Sequence, residues 1–174
     1  MFFFWRKKKA EAPTASPDEP LFVRVHDQDE EMMHAHARAS ASLDQFVTHL
    51  QRPGSHICAA KLRLNDPASS ERLGEQRFVN LWLAPIQQDS LGNVFRGQFF
   101  EVPKELAQWY RVGQVRQFTR DDIVDWFVND AGLMHGAFTL RVVRERLAES
   151  KRAEFDRHTG VVQWADDDAG SRTK

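Results

Sequence analysis

Residues 111–141 read RVGQVRQFTRDDIVDWFVNDAGLMHGAFTLR, and the prediction of the fold starts from this stretch. Thr119 is followed three residues later by Asp122, which is the spacing of a helix-capping box with Asp in place of the usual Glu. The spacing predicts a helix over 120–127. The apolar side of this helix consists of Ile123, Trp126 and Phe127.

Turns and apolar runs flank the predicted helix on both sides. VRQF (115–118) and LMHGAFTLRVV (133–143) have the composition of strands, and NDAG (129–132) has that of a turn. RERLAESKRAEF (144–155) is charged and helix-prone, and VVQW (161–164) is a candidate for a short last strand.

Apolar residues before this stretch recur at spacings of three and four, which predicts one long helix that starts near Asp27. Arg52, Pro53 and Gly54 end it. The stripe consists of Met32, His36, Ala39, Leu43, Phe46 and Leu50.

Between the long helix and residue 111 the pattern is mostly extended. Strands are predicted at LFVRV (21–25), HICAAKLRL (56–64), RFVNLWLAPI (77–86) and NVFRGQFFEV (93–102). The last two are joined by a short polar loop that contains Gly92, which predicts an antiparallel hairpin. NDPASSERLGEQ (65–76) is polar and predicts a loop, whereas KELAQWY (104–110) predicts one or two helical turns.

Strands flanked by helices without regular alternation predict an α+β fold. We expect a mostly antiparallel sheet of about five strands, with the long N-terminal helix and shorter helices packed on it. Residues 1–20 hold three prolines and are predicted to be a flexible segment and linker. The single α+β domain is predicted to span 21–164, and the polar residues 165–174 are predicted to be a disordered tail.

Charge and cysteine content limit the function classes. The chain has 24 Lys and Arg against 25 Asp and Glu, so no overall basic charge favours nucleic-acid binding. Cys58 is the one cysteine, which rules out an intrachain disulfide and fits a reducing cytoplasm. Because Cys58 lies in an apolar run, we interpret it as a small buried hydrophobic residue.

The first residues, Phe2–Lys9, place aromatic side chains before a basic cluster, which is the reverse of the order in an export signal. Such a segment can rest weakly on an anionic membrane surface. A solvated chain start is the favoured interpretation.

The chain resembles the YegJ-like bacterial family, domain of unknown function 2314, over about residues 29–143. The motifs that carry the resemblance are VNLWLAPI, Phe95-Arg96-Gly97, Pro103, Gly113, DIVDWF and GAFTLR. The resemblance implies a fold and a bacterial origin, and it implies no known chemistry. Asn80 stands where the family commonly has a glutamate, which puts in doubt a catalytic carboxylate on that strand.

Candidate functional residues are acidic and aromatic side chains near the predicted helix. Asp121 and Asp122 are interpreted mainly as helix-start residues, and Asp125 as a residue that bonds a nearby backbone group or an arginine such as Arg141. A paired-carboxylate or hard-cation site is the alternative for the three. The seven histidines lack the spacing of a zinc pair, so no metal and no cofactor are expected. The candidate binding surface or pocket consists of Asn80, Trp82, Trp109, Asp122, Asp125, Trp126, His135 and Arg141. Packing in the core is the favoured interpretation of Trp126, because its neighbours are apolar, whereas packing and binding are equal alternatives for Trp82 and Trp109.

We expect a small cytoplasmic bacterial protein without enzymatic activity, which binds a protein partner and acts, for example, by neutralising it. Nucleophile motifs and phosphate-binding loops are missing from the sequence, whereas large aromatic side chains are frequent at interfaces. The alternative is a small-ligand-binding protein or enzyme, with a pocket between the 120–127 helix and the 77–86 strand.

Overall fold

A computed structural model describes residues 29–89 and 92–166 of the chain. The predicted N-terminal segment and linker (1–20), the predicted strand at 21–25 and most of the tail lie outside the described residues.

The described residues form helices and strands in an α+β arrangement, as predicted. The helices are α1 (Glu30–Ala41), α2 (Leu43–Gln51), α3 (Pro67–Leu73), α4 (Phe138–Arg146) and α5 (Glu149–His158), with 3-10 turns at Lys104–Leu106 and Arg120–Asp122. The strands are β1 (Ile57–Asn65), β2 (Phe78–Leu83), β3 (Gln87–Gln88), β4 (Phe95–Gln98), β5 (Val115–Phe118), β6 (Ile123–Asp130), β7 (Leu133–Gly136) and β8 (Gln163–Trp164).

The strands form two sheets instead of the single sheet that was predicted. The larger sheet has five strands in the order β2-β1-β6-β7-β8, and the smaller sheet has three in the order β3-β4-β5. The smaller sheet is antiparallel, but β7 and β8 run parallel, so the larger sheet is mixed. The expected mostly antiparallel sheet of about five strands is therefore only partly correct.

Both faces of the larger sheet are covered, because its strands carry apolar residues on both sides. On one face Ala60 and Leu62 of β1 share a buried cluster with Phe46 of α2. On the other face Ala59 of β1 belongs to a smaller cluster with Leu140 of α4. The smaller sheet adds its phenylalanines to the first cluster, so the two sheets share one core.

The predicted helix over 120–127 is wrong. The capping box at Thr119 and Asp122 is present, but it caps only the short 3-10 turn at Arg120–Asp122. Residues Ile123–Asp130 form β6, which pairs with β1 on one side and β7 on the other. β-branched and aromatic residues dominate this segment and fit a pleated surface, and pairing on both edges outweighs the local helix signal.

The predicted strand over 133–143 is also too long. Only Leu133–Gly136 is a strand, and α4 begins at Phe138. Gly136 has a φ of 65°, and an added Cβ would lie 2.5 Å from the backbone oxygen of Trp126. The chain therefore turns sharply out of the sheet at a position that accommodates only glycine.

The predicted long N-terminal helix consists of two helices, α1 and α2, that are separated at Ser42. The Ser42 hydroxyl donates to the backbone oxygen of Arg38 at 2.8 Å, and such bonds compete with regular helix geometry. The interruption lets the indole Nε1 of Trp126 donate to the backbone oxygen of Ala39 at 3.1 Å. The predicted apolar stripe remains largely buried across the break.

Two further predictions need correction between β1 and β4. The predicted polar loop at 65–76 contains α3, which Asp66 caps by accepting from the backbone N–H of Ser69. The predicted hairpin pairs 77–86 with 93–102, but the strand that pairs with β4 is mainly β3, which follows the predicted 77–86 strand. β2 instead pairs along its length with β1, although Leu83 forms an isolated bridge with Phe99.

Candidate functional site

A row of buried polar and aromatic side chains crosses the larger sheet on the face that α4 covers. Strand pairing places Trp82 of β2 beside Lys61 of β1, and Lys61 beside Asp125 of β6. Thr139 from the first turn of α4 lies over the end of this row. All four residues are buried, and the exposed fraction of Asp125 is 0%.

The Asp125 carboxylate holds the start of α4. It accepts from the backbone N–H groups of Trp126 at 2.8 Å, Phe138 at 3.2 Å and Thr139 at 2.8 Å. It also accepts from the Thr139 hydroxyl at 2.5 Å. Phe138 and Thr139 are the first residues of α4, whose N–H groups have no partner inside the helix. Asp125 therefore caps a helix that begins 13 residues later in the chain.

Lys61 completes the row through the same hydroxyl group. Its Nζ donates to Thr139 Oγ1 at 2.8 Å and lies 5.2 Å from the centre of the Trp82 ring. Burial lowers the pKa of Lys61 and raises the pKa of Asp125, and the opposite charge of each partner counteracts both shifts. The indole Nε1 of Trp82 is buried and has no hydrogen-bond partner in the described part of the chain.

The chemistry of this row is structural. A general acid or base must reach a proton on a substrate, and these side chains are covered by α4 and by the strands around them. The row instead neutralises buried charge and fixes α4 against the sheet.

The other candidate residues from the sequence are dispersed. Trp126 fills the core, Trp109 is partly buried against it, and Asn80 is half-buried on β2. The carboxylate of Asp122 accepts from the backbone N–H and the hydroxyl of Thr119, at 2.8 and 3.0 Å.

The structure does not bring His135 and Arg141 to the predicted pocket. The ring of His135 lies 4.6 Å from that of His49 on α2. Arg141 donates to the backbone oxygens of Gly136 and Ala165, at 2.8 and 2.9 Å. The expected pocket lay between a 120–127 helix and a strand, but β6 and β2 instead flank β1 in one sheet.

A small cleft lies beside α4. It has a volume of about 190 Å³ and is lined by Arg141, Arg144, Glu145 and Trp164. The guanidinium of Arg144 binds both carboxylate oxygens of Asp156, at 2.6 and 2.7 Å. Sites for drug-sized ligands usually have volumes of about 300–1,000 Å³, so this cleft is small for such a ligand.

The described residues contain neither a metal-binding cluster nor a helix that could span a membrane. Within 29–89 and 92–166, no three His, Cys, Asp or Glu side chains are placed to hold a metal ion together. Among the helices of the same ranges, none has the length and apolar composition needed to span a bilayer.

An exposed apolar and basic area lies on the smaller sheet, and the sequence analysis did not single it out. We call it the β4–β5 surface. Its exposed members lie on β4, β5 and the adjoining turns and are the apolar Phe100, Val112 and Val115 and the cationic Arg96, Lys104, Arg111 and Arg116. Arg116 pairs with the buried Gly97, so it lies at the edge of β5 on the side of the sheet opposite to Val115. Phe100, Val112 and Val115 are 40%, 64% and 57% exposed. Exposed apolar groups surrounded by polar ones are typical of interaction sites.

Strand geometry explains why these apolar side chains face outward. Phe95 and Phe99 point into the core, so Phe100 faces the opposite side, because side chains alternate along an extended chain. Val115 is paired with Gln98, which lies on the same outer side as Phe100. Phe100 and Val115 are therefore diagonal neighbours across β4 and β5.

Four exposed cations lie in the same stretch of the chain as these residues. Among the described residues, Arg96, Lys104, Arg111 and Arg116 have no carboxylate within ion-pair distance. Residues 92–119 contain these four cations and two acidic residues, hence a charge of +2, whereas the whole chain has −1. The β4–β5 surface is therefore locally basic.

The fold and these sites define an α+β protein in which a mixed sheet and a small antiparallel sheet share one core. The chain belongs to the family described as an uncharacterized protein conserved in bacteria, domain of unknown function 2314, whose model matches residues 29–162. This match confirms the family resemblance of the sequence. No curated protein and no solved structure matches the chain.

Proposed function

We propose that this protein is a non-enzymatic protein-binding module and that its partner binds to the β4–β5 surface. The observation that carries the proposal is the exposed pair of Phe100 and Val115 beside the edge of β5 that pairs with no strand among the described residues. Apolar anchors inside a polar rim supply most of the binding energy at protein interfaces. Neutralisation of the partner is one form that such binding takes.

The buried position of the polar row supports a function without catalysis. Lys61 and Asp125 are the most strongly desolvated ionisable pair described here, and their hydrogen bonds hold α4. The small-ligand alternative has less support, since the cleft beside Arg141 is small and the Arg144 guanidinium that lines it is bound by Asp156.

We place this activity in the bacterial cytoplasm. The support is the single cysteine, Cys58, which is buried at 5% exposure and has a pKa raised to about 11 by burial. A thiol of this kind takes no part in disulfide exchange at neutral pH.

The test compares two substitutions that make the same chemical change in different places. Val115→Glu alters the β4–β5 surface, and Val162→Glu alters an 88% exposed valine next to β8. Proteins captured from a bacterial lysate by the unmodified chain are identified, purified and titrated against all three chains by calorimetry. We expect Val115→Glu to weaken binding about tenfold or more and Val162→Glu to leave it unchanged, because loss of an interface anchor costs at least about 1–2 kcal/mol.

Melting temperatures of both variants provide the folding control. Both substituted side chains are exposed, so both variants should melt close to the unmodified chain. A purified partner that binds Val115→Glu as tightly as the unmodified chain would contradict the proposed surface. Failure to capture any partner that binds directly would contradict the proposed function.

A further inference from the structure

We infer that the β4–β5 surface binds an extended acidic segment of its partner, which adds to the small sheet as a fourth strand beside β5. This inference rests on the proposed function and specifies the chemistry of the partner. It combines three observations: the hydrogen-bonding groups at the edge of β5, the exposed apolar side chains beside that edge, and the excess of cations that have no carboxylate partner among the described residues.

The edge of β5 offers main-chain groups for pairing. Within residues 29–89 and 92–166, β5 is the last strand in the order β3-β4-β5 and pairs on one side only. The backbone N–H of Phe99 donates to the oxygen of Gln114 at 3.2 Å, which fixes which residues of β5 bond to β4. In an antiparallel pair this bonding alternates, so Arg116 and Phe118 face β4, whereas the N–H and C=O groups of Val115 and Gln117 face away.

The edge of β5 is only partly protected against strand addition. Natural edge strands are often protected by Pro, by bulges, by short length or by charged side chains. β5 is short and carries Arg116, but it has no Pro and it exposes Val115. The strand is four residues long, so it provides bonds for a short segment of about the same length.

The exposed apolar side chains determine which partner sequences fit along the edge of β5. Val115 and its diagonal neighbour Phe100 lie on the outer side of the sheet. Every second residue of an added strand would lie on this same side, so apolar residues at alternate positions would contact Val115. The β4–β5 surface therefore favours a partner segment with apolar residues at every second position over a uniformly charged segment.

The charge of the surface selects acidic residues for the remaining positions. Arg116 of β5 lies on the side of the sheet opposite to Val115, which is the side that the remaining residues of an added strand would face. Among the described residues, no carboxylate lies within ion-pair distance of Arg116 or of Arg96, Lys104 and Arg111 in the adjoining segments. An acidic segment would be attracted and a basic segment repelled. A nucleic acid would also satisfy the cations, but it would not use the main-chain groups of Val115 and Gln117.

The test uses a blocked seven-residue peptide of alternating Glu and Val as the probe. One control peptide has Lys in place of each Glu, and a second has Pro at the central Val. A single-stranded DNA oligonucleotide is the third probe. Each is titrated to about 1 mM against the full chain at low and high salt, and backbone amide hydrogen exchange is then measured by NMR.

We expect the acidic peptide to slow exchange of the Val115 and Gln117 amides at least about tenfold, because each amide would donate a new hydrogen bond to a carbonyl group of the peptide. The amides of Arg116 and Phe118 already bond to β4 and should change much less. The Lys and Pro peptides should not bind, and added salt should weaken binding of the acidic peptide.

Two charge reversals form a matched pair, with one variant at the edge of β5 and one control variant elsewhere. Arg116→Glu removes an exposed cation beside the edge, and Arg157→Glu makes the same change on α5. We expect Arg116→Glu to lose the acidic peptide and Arg157→Glu to keep it. Both residues are exposed, so both variants should fold normally.

The outcomes distinguish this inference from the proposed function. If Val115→Glu releases the natural partner but the acidic peptide leaves the Val115 and Gln117 amides unprotected, strand addition is wrong and the proposed function stands. Equal binding of the Pro peptide, or tighter binding of DNA than of the acidic peptide, also overturns the inference. If Val115→Glu does not release the partner, both the proposed surface and the inference of strand addition are wrong.

Discussion

The hydroxyl of Thr139 connects two buried charges, and this makes it the most informative single group in the core. It accepts from Lys61 Nζ and donates to Asp125 Oδ2. Each charge would be costly in this environment without hydrogen bonds.

We predict that Thr139→Val lowers the free energy of unfolding by about 1–3 kcal/mol or more, although valine fills nearly the same volume. The substitution removes the acceptor of Lys61 and one donor of Asp125. Thr139→Ser keeps the hydroxyl and should cost less than Thr139→Val, because it removes only one methyl group. Urea unfolding followed by circular dichroism measures both. A Thr139→Val variant that is as stable as the unmodified chain would show that the hydroxyl does not support the two charges.

Sequence reasoning at the residue scale identified the environment of several residues but not their partners. Cys58 is a buried hydrophobic residue and Trp126 lies in the core, both as predicted. Asp125 was expected to bond a nearby backbone or Arg141, and the backbone part is confirmed. Lys61 was not singled out, because a lysine in a strand usually faces solvent and only the strand pairing places it under α4.

At the scale of elements, α1 and α4 are joined by one arginine. Arg146 at the end of α4 donates to both carboxylate oxygens of Asp29, at 2.5 and 2.6 Å, and to Glu31 Oε2 at 2.6 Å. Asp29 also caps α1 through the backbone N–H of Met32. The guanidinium therefore links a helix C-terminus to a helix N-terminus, where charges of these signs are favoured.

The ion pair predicts a specific pH dependence. Hydrogen bonds from Arg146 hold the pKa of Asp29 at about 2, below its usual 3.8. The folded state then binds fewer protons than the unfolded state, so the stabilisation is complete above about pH 4 and is lost as the pH falls towards 2. We expect Arg146→Gln to lower the urea midpoint at pH 6, with a difference from the unmodified chain that shrinks on acidification from pH 4 to 2.

Lys151→Gln is the control for this prediction. It removes an exposed ion pair with Glu154 inside α5 and should alter the midpoint much less. A difference between Arg146→Gln and the unmodified chain that stays constant down to pH 2 would contradict the role of Asp29. Titration of the Asp29 carboxyl by NMR checks the same point directly.

The errors in element prediction have one physical cause, which is that distant contacts outweigh local signals. The capping box of Thr119 and Asp122 is present, but the residues after it form β6, which is stabilised by pairing with β1 and β7. No residue next to α4 in the sequence caps its start, because the capping side chain is Asp125 of β6. By contrast, β1 and β5 lie close to their predicted ranges, since their composition and their pairing agree.

At the scale of the whole molecule, the candidate surface depends on topology and therefore could not be located from the sequence. The strand VRQF was predicted, but its position at the edge of a second sheet follows from the pairing order. The whole-chain charge also obscured the basic character of residues 92–119, because positive and negative charges nearly cancel over the chain. The pairing order is needed to place Arg96 and Arg116 of this segment on two neighbouring strands of the smaller sheet.

The shared core leads to a prediction about how the two sheets unfold. Phe118 of β5 is buried and stacks on Phe95 of β4, with ring centres 5.7 Å apart. Both belong to the cluster that contains Leu81 of β2 and Trp126 of β6. Since the small sheet has no separate core, the two sheets should unfold in one cooperative step.

We expect Phe118→Ala to lower the free energy of unfolding of the whole molecule by about 3–5 kcal/mol, because it leaves a cavity beside Phe95. Tryptophan fluorescence reports mainly on the larger sheet, and amide exchange at β4 and β5 reports on the smaller one. Both signals should shift together in denaturant. If the smaller sheet opened first while the fluorescence transition stayed at its original midpoint, the sheets would be independent units, and the edge of β5 would have to be treated as a segment that orders only when a partner binds.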